Sequence, residues 1–395
     1  MTVDSAALPT MPWTGVTVRR MTRHALAEPA ADLSLADIAG VLCGVHAQIL
    51  SAAELSAGRR IAGATRADVR RALWEERSLV KTFGPRGTVH LLPAADLPMW
   101  TGALSAVSSP KHPDGIRFTP GQAEEVIAAI GDALADAELT VGELTEAIAD
   151  RAGQWAVEQT MEAFGGKWPR WRQLTSAAAH RGVLCFGPSR GRNVTYTSPR
   201  RWLPGFRPAE ADAALRALVI RYLHAYGPAT PQHFARWLGI PARHATGVFA
   251  ELAGEAELAE ELERVEVNGE PAWSVAGDTK TPPEPHRGIR LLPYFDAYVV
   301  GCQPREWLYP GPATSRALTP AGQAGNYPVL LIDGVVGGVW HQRLSGRKLA
   351  ITVEPLRELT AAQRRQLDDD AQLVGSVTET AVTLTVGAVT VGPHA

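Results

Sequence analysis

Apolar residues at Leu35, Ile38, Ala39 and Leu42 follow the i, i+3, i+4, i+7 spacing of an amphipathic helix, and Ser34 stands where its N-cap would be. This predicts a helix over 34–43. It leads straight into residues 41–50, an otherwise apolar run that holds two hydrogen-bonding side chains, His46 and Gln48. Residues two apart on a helix point about 200° away from each other, so both can face one pocket only where the helix has ended or the backbone is extended. Extended backbone at His46-Ala47-Gln48 is the expectation. On composition alone, such a pair is more often satisfied core or cap than catalyst.

The pattern continues with helices over 52–61 and 69–76, the second behind a Thr65/Asp68 cap. Two β-prone runs on either side of Gly84-Pro85-Arg86-Gly87 then predict a hairpin over 79–92, the wing of a helix-turn-helix unit. The same plan returns with a short helix over 140–150, a longer one over 168–181 and a hairpin over 182–197 whose tip is rich in Gly, Pro, Ser and Arg. A third pass has a long helix over 209–226, a Thr230-Pro231 helix start, helices over 233–238 and 242–253, and strands over 262–267 and 271–275. Residues 281–285, Thr-Pro-Pro-Glu-Pro, punctuate the chain. Beyond them short strands are predicted at 290–293, 297–301, 328–340, 348–354 and 377–391, with one helix near 356–367, and the alternating Thr and Val at the end suit an edge strand. The N-terminal stretch reads as loose.

The fold class expected is therefore α+β: three tandem winged helix-turn-helix units over 1–135, 136–207 and 208–285, followed by a C-terminal β-rich domain over 286–395. The 395 residues, 45% hydrophobic and 20% charged, suffice for several domains of a globular protein. Absence of a long apolar run and of a leader pattern in residues 1–20 predicts a cytoplasmic protein with no membrane partner. Cys43, Cys185 and Cys302 are far apart, and no HExxH or other tight ligand cluster occurs, so neither metal nor cofactor is expected.

A net charge of −2 hides a segregation that changes this picture. Between Glu162 and Glu210 there is no acidic residue, while Lys167, Arg170, Arg172, Arg181, Arg190, Arg192, Arg200, Arg201 and Arg207 are interleaved with Trp168, Trp171, Tyr196 and Trp202. Such a band suits a phosphate-binding face. Lys167, Arg170 and Arg172 are expected near the start of a groove-entering helix, with Arg190 and Arg192 at the tip of a wing on the neighbouring backbone. Trp168 and Trp171 read as core at helical spacing.

Several stretches, in order, resemble the winged-helix DNA glycosylases of the AlkZ/YcaQ type. They are residues 41–49, where that family has Gln-x-Gln or Gln-x-Asp; Arg86-Gly-Thr-Val-His-Leu91; Leu291-Leu-Pro-Tyr-Phe-Asp-Ala-Tyr-Val-Val-Gly301; and Leu331-Ile-Asp-Gly-Val-Val-Gly-Gly-Val-Trp340. The resemblance implies three winged helices and a C-terminal β-domain, removal of bulky alkylated purines from double-stranded DNA, and catalytic positions at His46 and Gln48. His stands where Gln is commoner, as in a subgroup of self-resistance enzymes that accompany DNA-alkylating antibiotics.

Alkylation at guanine N7 leaves a cationic base that departs readily, so what the enzyme must do is align water and stabilise an oxocarbenium-like sugar. A Gln amide can orient water; a neutral imidazole, with an ordinary pKa near 6.5, can also take its proton. His46 is thus assigned as general base or water positioner and Gln48 as its partner. With no lysine in this segment and five in the chain, hydrolysis by a monofunctional, monomeric enzyme is favoured over a Schiff-base lyase. Arg86 is expected to anchor the wing or a phosphate, and Thr88 and His90 to be able to face a cleft, with a structural role for His90 slightly ahead; Asp296 reads as a fold-stabilising acceptor. The competing reading is a winged-helix transcription regulator or a drug-sequestering protein without catalysis.

Overall fold

The computed structural model describes residues 8–106, 117–163, 166–254, 261–280 and 288–393. The chain divides into two compact units, one formed by Met1–Arg70 with Val219–Ala395 and the other by Arg71–Leu218. Along the chain an order of helix, strand, helix, helix and hairpin occurs three times. It runs first through Leu35–Val41, Val45–His46, Leu50–Gly58, Arg66–Trp74 and the pair Leu79–Phe83 and Val89–Pro93. The second pass runs from Pro120–Leu134 to Asn193–Thr197, and the third from Ala211–Tyr226 to Glu270–Val275 with an isolated bridge, Ala229 to Trp273, in the first strand's place.

Local rules account for most of these elements. Capping boxes open the helices Leu35–Val41, Pro120–Leu134, Val141–Ala152, Pro231–Leu238 and Ala361–Thr378, each with Ser34 or a Thr accepting from the backbone three residues on. The hairpin Leu262–Val267 and Glu270–Val275 turns at Asn268-Gly269, both at positive φ, the backbone that a two-residue connection demands.

Several regions depart from the reading of the sequence. The N-terminal stretch contains a helix, Trp13–Arg23, whose Val16, Val18 and Met21 are buried and whose first N–H is accepted by the Asn268 side chain at 3.0 Å. The helix expected over 168–181 is a strand, Gly166–Pro169, then a 3-10 turn, Arg170–Leu174, and a short helix, Thr175–His180. Pro169 gives the reason: it biases Trp168 to extended backbone, which pairs instead with Gln159–Ala163 in an unforeseen hairpin. Residues 297–301 form a helix and not a strand, because the Asp296 side chain accepts from the Tyr298 N–H at 3.0 Å and caps it. The last helix runs over Ala361–Thr378, later than expected, and leaves only Ala381–Val386 as strand. Helices Leu97–Ser105 and Pro120–Leu134 occupy a region where the sequence pattern predicts no element. The Pro-rich punctuation at 281–285 lies outside the described residues.

In the unit containing both chain ends, a five-stranded sheet runs in the order Ile289–Leu292, Val329–Ile332, Val335–Ser345, Lys348–Pro355 and Ala381–Val386. The last strand pairs parallel at the edge and the others are antiparallel. The helix Ala361–Thr378 covers one face with Leu367, Ala371, Val374 and Val377 against Leu291, Leu330, Trp340 and Ile351. Trp340 satisfies its buried indole N–H on the Leu292 carbonyl at 2.8 Å.

The unit Arg71–Leu218 holds the hairpin Leu79–Phe83 and Val89–Pro93 and a three-stranded sheet ordered Leu139–Thr140, Asn193–Thr197, Cys185–Arg190. Phe83 and Phe186 meet at 5.4 Å between ring centres and join the two. Trp171 is fully buried and donates to the Thr145 hydroxyl, whereas Trp168, also expected in the core, is 43% exposed with the Arg172 guanidinium 3.8 Å from its ring centre. No helix among the described residues is long and apolar enough to cross a membrane.

Candidate active site

The segment carrying His46 is set by how the preceding helix stops. Gly44 N–H donates to the Ala39 carbonyl at 2.7 Å and Cys43 N–H to that of Gly40 at 3.0 Å, the paired bonds of a Schellman stop. Cys43 sits at φ 49°, where glycine is usual, at a cost of roughly 1–2 kcal/mol. Gly44 follows at φ 92° and the chain emerges extended at Val45–His46. From another part of the same unit, Tyr226 donates its buried hydroxyl to the Leu42 carbonyl at 2.6 Å. Burial pushes that phenol well above its ordinary pKa, so it remains a donor.

His46 is 7% exposed, Ala47 is buried, and Gln48 is exposed in the bend before the helix Leu50–Gly58. The helix has ended and the backbone is extended at His46, the condition under which residues two apart share a side. The imidazole lies on the ring of Phe295, with centroids 4.5 Å apart and planes 27° apart. Stacking on Phe295 covers one face of the imidazole and leaves its nitrogens at the edge.

Beneath this pair is a buried polar cluster. Asp296 accepts from Arg60 Nη1 and Nη2 at 2.9 and 2.7 Å and from the Ser56 hydroxyl at 2.7 Å. Burial drives the Asp296 carboxyl up, but the Arg60 charge and these hydrogen bonds more than reverse it, holding the group ionised below the ordinary carboxylate range. Arg60 also donates to the His24 carbonyl, and His24, pushed by burial and the Arg60 charge down to about 3, is neutral with Nε2 on the Ala225 carbonyl at 2.9 Å. Phe295 was missed as a site residue; only its place beside Asp296 in the 291–301 stretch could have drawn attention to it.

The other candidates lie in the unit Arg71–Leu218. Arg86 and Gly87 turn the first hairpin at φ 60° and 64°. Thr88 donates its hydroxyl to the Pro85 carbonyl at 3.0 Å, and His90, 4% exposed, has Nδ1 2.9 Å from the Thr88 carbonyl, so that nitrogen carries the proton. Gly84 is required by this ring, since a Cβ there would lie 2.8 Å from His90 Nδ1.

Within the basic band, the cations differ in what they meet. Lys167 is on a hairpin strand, 3.6 Å from Glu162, and not on a helix. Arg170 donates to the Arg117 carbonyl at 2.6 Å and lies over Phe118, while Arg190 pairs with Glu143 at 2.8 Å and Arg181 with Glu124. Carboxylates outside the acid-free interval thus return to neutralise part of it. Arg192, Arg200 and Arg207 are exposed and make no ion pair among the described residues, and exposed Arg201 donates to the Thr197 hydroxyl at 2.8 Å. Among the described residues no group of three or more His, Cys, Asp or Glu could hold a metal.

Comparison with known proteins places this architecture. The family model for DNA glycosylase AlkZ-like proteins matches residues 39–377. A protein of Streptomyces sahachiroi described as an interstrand DNA cross-link repair glycosylase is 32% identical over 354 residues, 87% of this chain and 91% of that protein. The solved structure of Streptomyces sahachiroi DNA glycosylase AlkZ superposes with a TM-score of 0.79 at 28% identity, covering 96% of this chain and 100% of that one. Matched in sequence and in fold over most of its length, the chain belongs to the AlkZ-like family of DNA glycosylases, hydrolases of N-glycosyl bonds in DNA.

Proposed function

We propose that this glycosylase releases bulky N7-alkylguanine from duplex DNA, with His46 as general base and Gln48 orienting the attacking water. The observation that carries the reading is His46 itself. It is shielded to 7% exposure, its ring is stacked on Phe295, and it stands on extended backbone two residues before an exposed Gln48. As the C1′–N9 bond breaks, its electron pair moves into the cationic purine and cancels the charge at N7. Water adds to C1′ of the oxocarbenium-like sugar and the neutral imidazole takes its proton, leaving an abasic site and a neutral base. Exposed Arg192, Arg200 and Arg201, with Arg86 at the first hairpin's turn, supply phosphate contacts. The description of the Streptomyces sahachiroi relative extends the proposal to lesions that join the two strands. The role we propose is protection against a DNA-alkylating antibiotic. Family membership replaces the non-enzymatic regulator reading.

The test is release of N7-alkylguanine from duplex oligonucleotides by the monomeric protein, scored as alkali-labile abasic sites. His46→Ala is expected to slow release by about 10²- to 10⁴-fold, the usual worth of a positioned base. Wild-type rates in both His46→Ala and Gln48→Ala would remove the site assignment. A rate that falls on acidification in the wild type but not in His46→Gln is the mark of a base.

A further inference from the structure

We infer that Phe295 is a positioning residue for His46, holding the imidazole plane so that its edge nitrogens face the reacting water; this rests on His46 being the base. The outer torsion of a His side chain is broad and roughly two-fold, so the plane needs an external surface to fix it. Phe295 offers that surface at 4.5 Å and 27°, a stacked arrangement that consumes neither ring nitrogen.

The ring of Phe295 is itself tightly specified. Its backbone lies at φ 55°, a left-handed conformation unfavourable for a bulky side chain and kept only where the surroundings over-determine it. Two sets of contacts do so. On one side, Phe295 N–H donates to the Gly325 carbonyl at 3.0 Å, and Gly325 approaches so closely that a Cβ there would lie 2.9 Å from Phe295 Cδ1 and 3.1 Å from its Cα. On the other, the next residue is Asp296, clamped by Arg60, Ser56 and the Tyr298 N–H. Ser56 and Arg60 belong to the helix Leu50–Gly58 and the turn after it, which begin only a few residues beyond His46. The clamp therefore refers the position of Phe295 to the segment that carries His46. Asp296 is too well paired to act as a base, and its part is instead to anchor the ring that orients one.

Misplacing a reacting group by about 1 Å can cost 10²-fold in rate, and a plane free to rotate moves its nitrogens by that order. The experiment is a double-mutant cycle on a duplex containing 7-methylguanine, reading single-turnover rate and duplex Kd in the full chain. Phe295→Leu is expected to lower the rate about 10- to 100-fold with Kd within about twofold. Phe295→Tyr, which keeps the flat face, should retain the rate within about threefold. In a His46→Gln background, whose amide still orients water and whose cationic lesion still leaves, Phe295→Leu should cost less than about twofold further. Phe295→Met, flexible and similar in volume, replaces Leu in both backgrounds if the Leu variant folds poorly. Equal losses in the two backgrounds, or a loss carried wholly by Kd, would overturn the role of Phe295 and leave the His46 reading standing. Wild-type rates in His46→Gln would overturn the His46 reading and this one with it.

Discussion

Three arginines in each of the two units have opposite situations. In the unit containing both chain ends, Arg20, Arg59 and Arg60 are 1%, 2% and 0% exposed. Arg20 donates to the carbonyls of Gly227, Pro228 and Gln303, Arg59 to Asp370 and the Leu291 carbonyl, and Arg60 to Asp296 and two carbonyls. In the unit Arg71–Leu218, Arg192, Arg200 and Arg201 stand exposed. The guanidinium is one fork with two uses: five fixed donors can satisfy converging carbonyls inside a fold, or can meet phosphate oxygens outside it. A count of cations cannot separate the two. What separates them is whether acceptors from distant chain segments converge on the fork.

The comparison breaks most visibly at Arg60. Its removal leaves Asp296 charged at 0% side-chain exposure, and Arg60→Ala is expected to lower unfolding free energy by about 3–5 kcal/mol, read by urea denaturation. Replacing both partners with apolar residues, Arg60→Met with Asp296→Leu, should cost less than the single change. A loss under about 1 kcal/mol for Arg60→Ala would mean that the buried fork is not the structural member that its contacts imply.

A smaller effect per residue concerns buried histidines in both units. Burial lowers His24 to about 3 and His233 to about 4 in one unit, and His180 to about 4 in the other. Each folded pKa is below the ordinary value near 6.5, so the unfolded chain binds the proton first as pH falls. The stability these neutral rings contribute is complete above about pH 6.5 and is lost on acidification towards the folded values, at up to about 1.4 kcal/mol per pH unit for each group. Denaturation midpoints at pH 7.5, 6.5 and 5.5 should therefore decline, and midpoints that stay level over this window would contradict the neutral, buried assignment.

The smallest change in stability is expected where the largest change in binding is. Arg192→Gln, Arg200→Gln and Arg201→Gln should each shift unfolding by no more than about 0.5 kcal/mol, while removing one phosphate-binding cation reduces the slope of log K against log salt by about 0.9. Arg190→Gln sharpens the contrast, because Arg190 is already paired with Glu143 and should change the slope less than Arg192→Gln does. Equal slopes for all four variants would remove the distinction between paired and unpaired cations.

Much of the chain is legible without a structure because caps, periodicity and turn chemistry act over a few residues. Thr230-Pro231 announces a helix and the runs 262–267 and 271–275 two strands, and both stand where the sequence places them. The extended backbone at His46 follows in the same way from a helix that must stop before Gly44. Local reasoning fails where a local signal was weighed wrongly or a distant one was needed. Pro169 outweighs the helical spacing of the tryptophans, and an Asp cap turns the apolar run 297–301 into a helix. Charge spacing likewise marks a band but not its partners, since Glu124 and Glu143 lie outside the acid-free interval.

By itself, then, the sequence determined much of the succession of helices and hairpins, the family, and the extended segment that carries the candidate pair His46 and Gln48, because each rests on neighbours within a few positions or on motifs in order. Only the tertiary structure decided that the adjacent charges Arg59 and Arg60 are interior, and that Phe295 lies on His46. The acidic partners of the two arginines lie 311 positions from Arg59 and 236 from Arg60. Contact across such a separation is created by folding, and no periodicity along the chain encodes it.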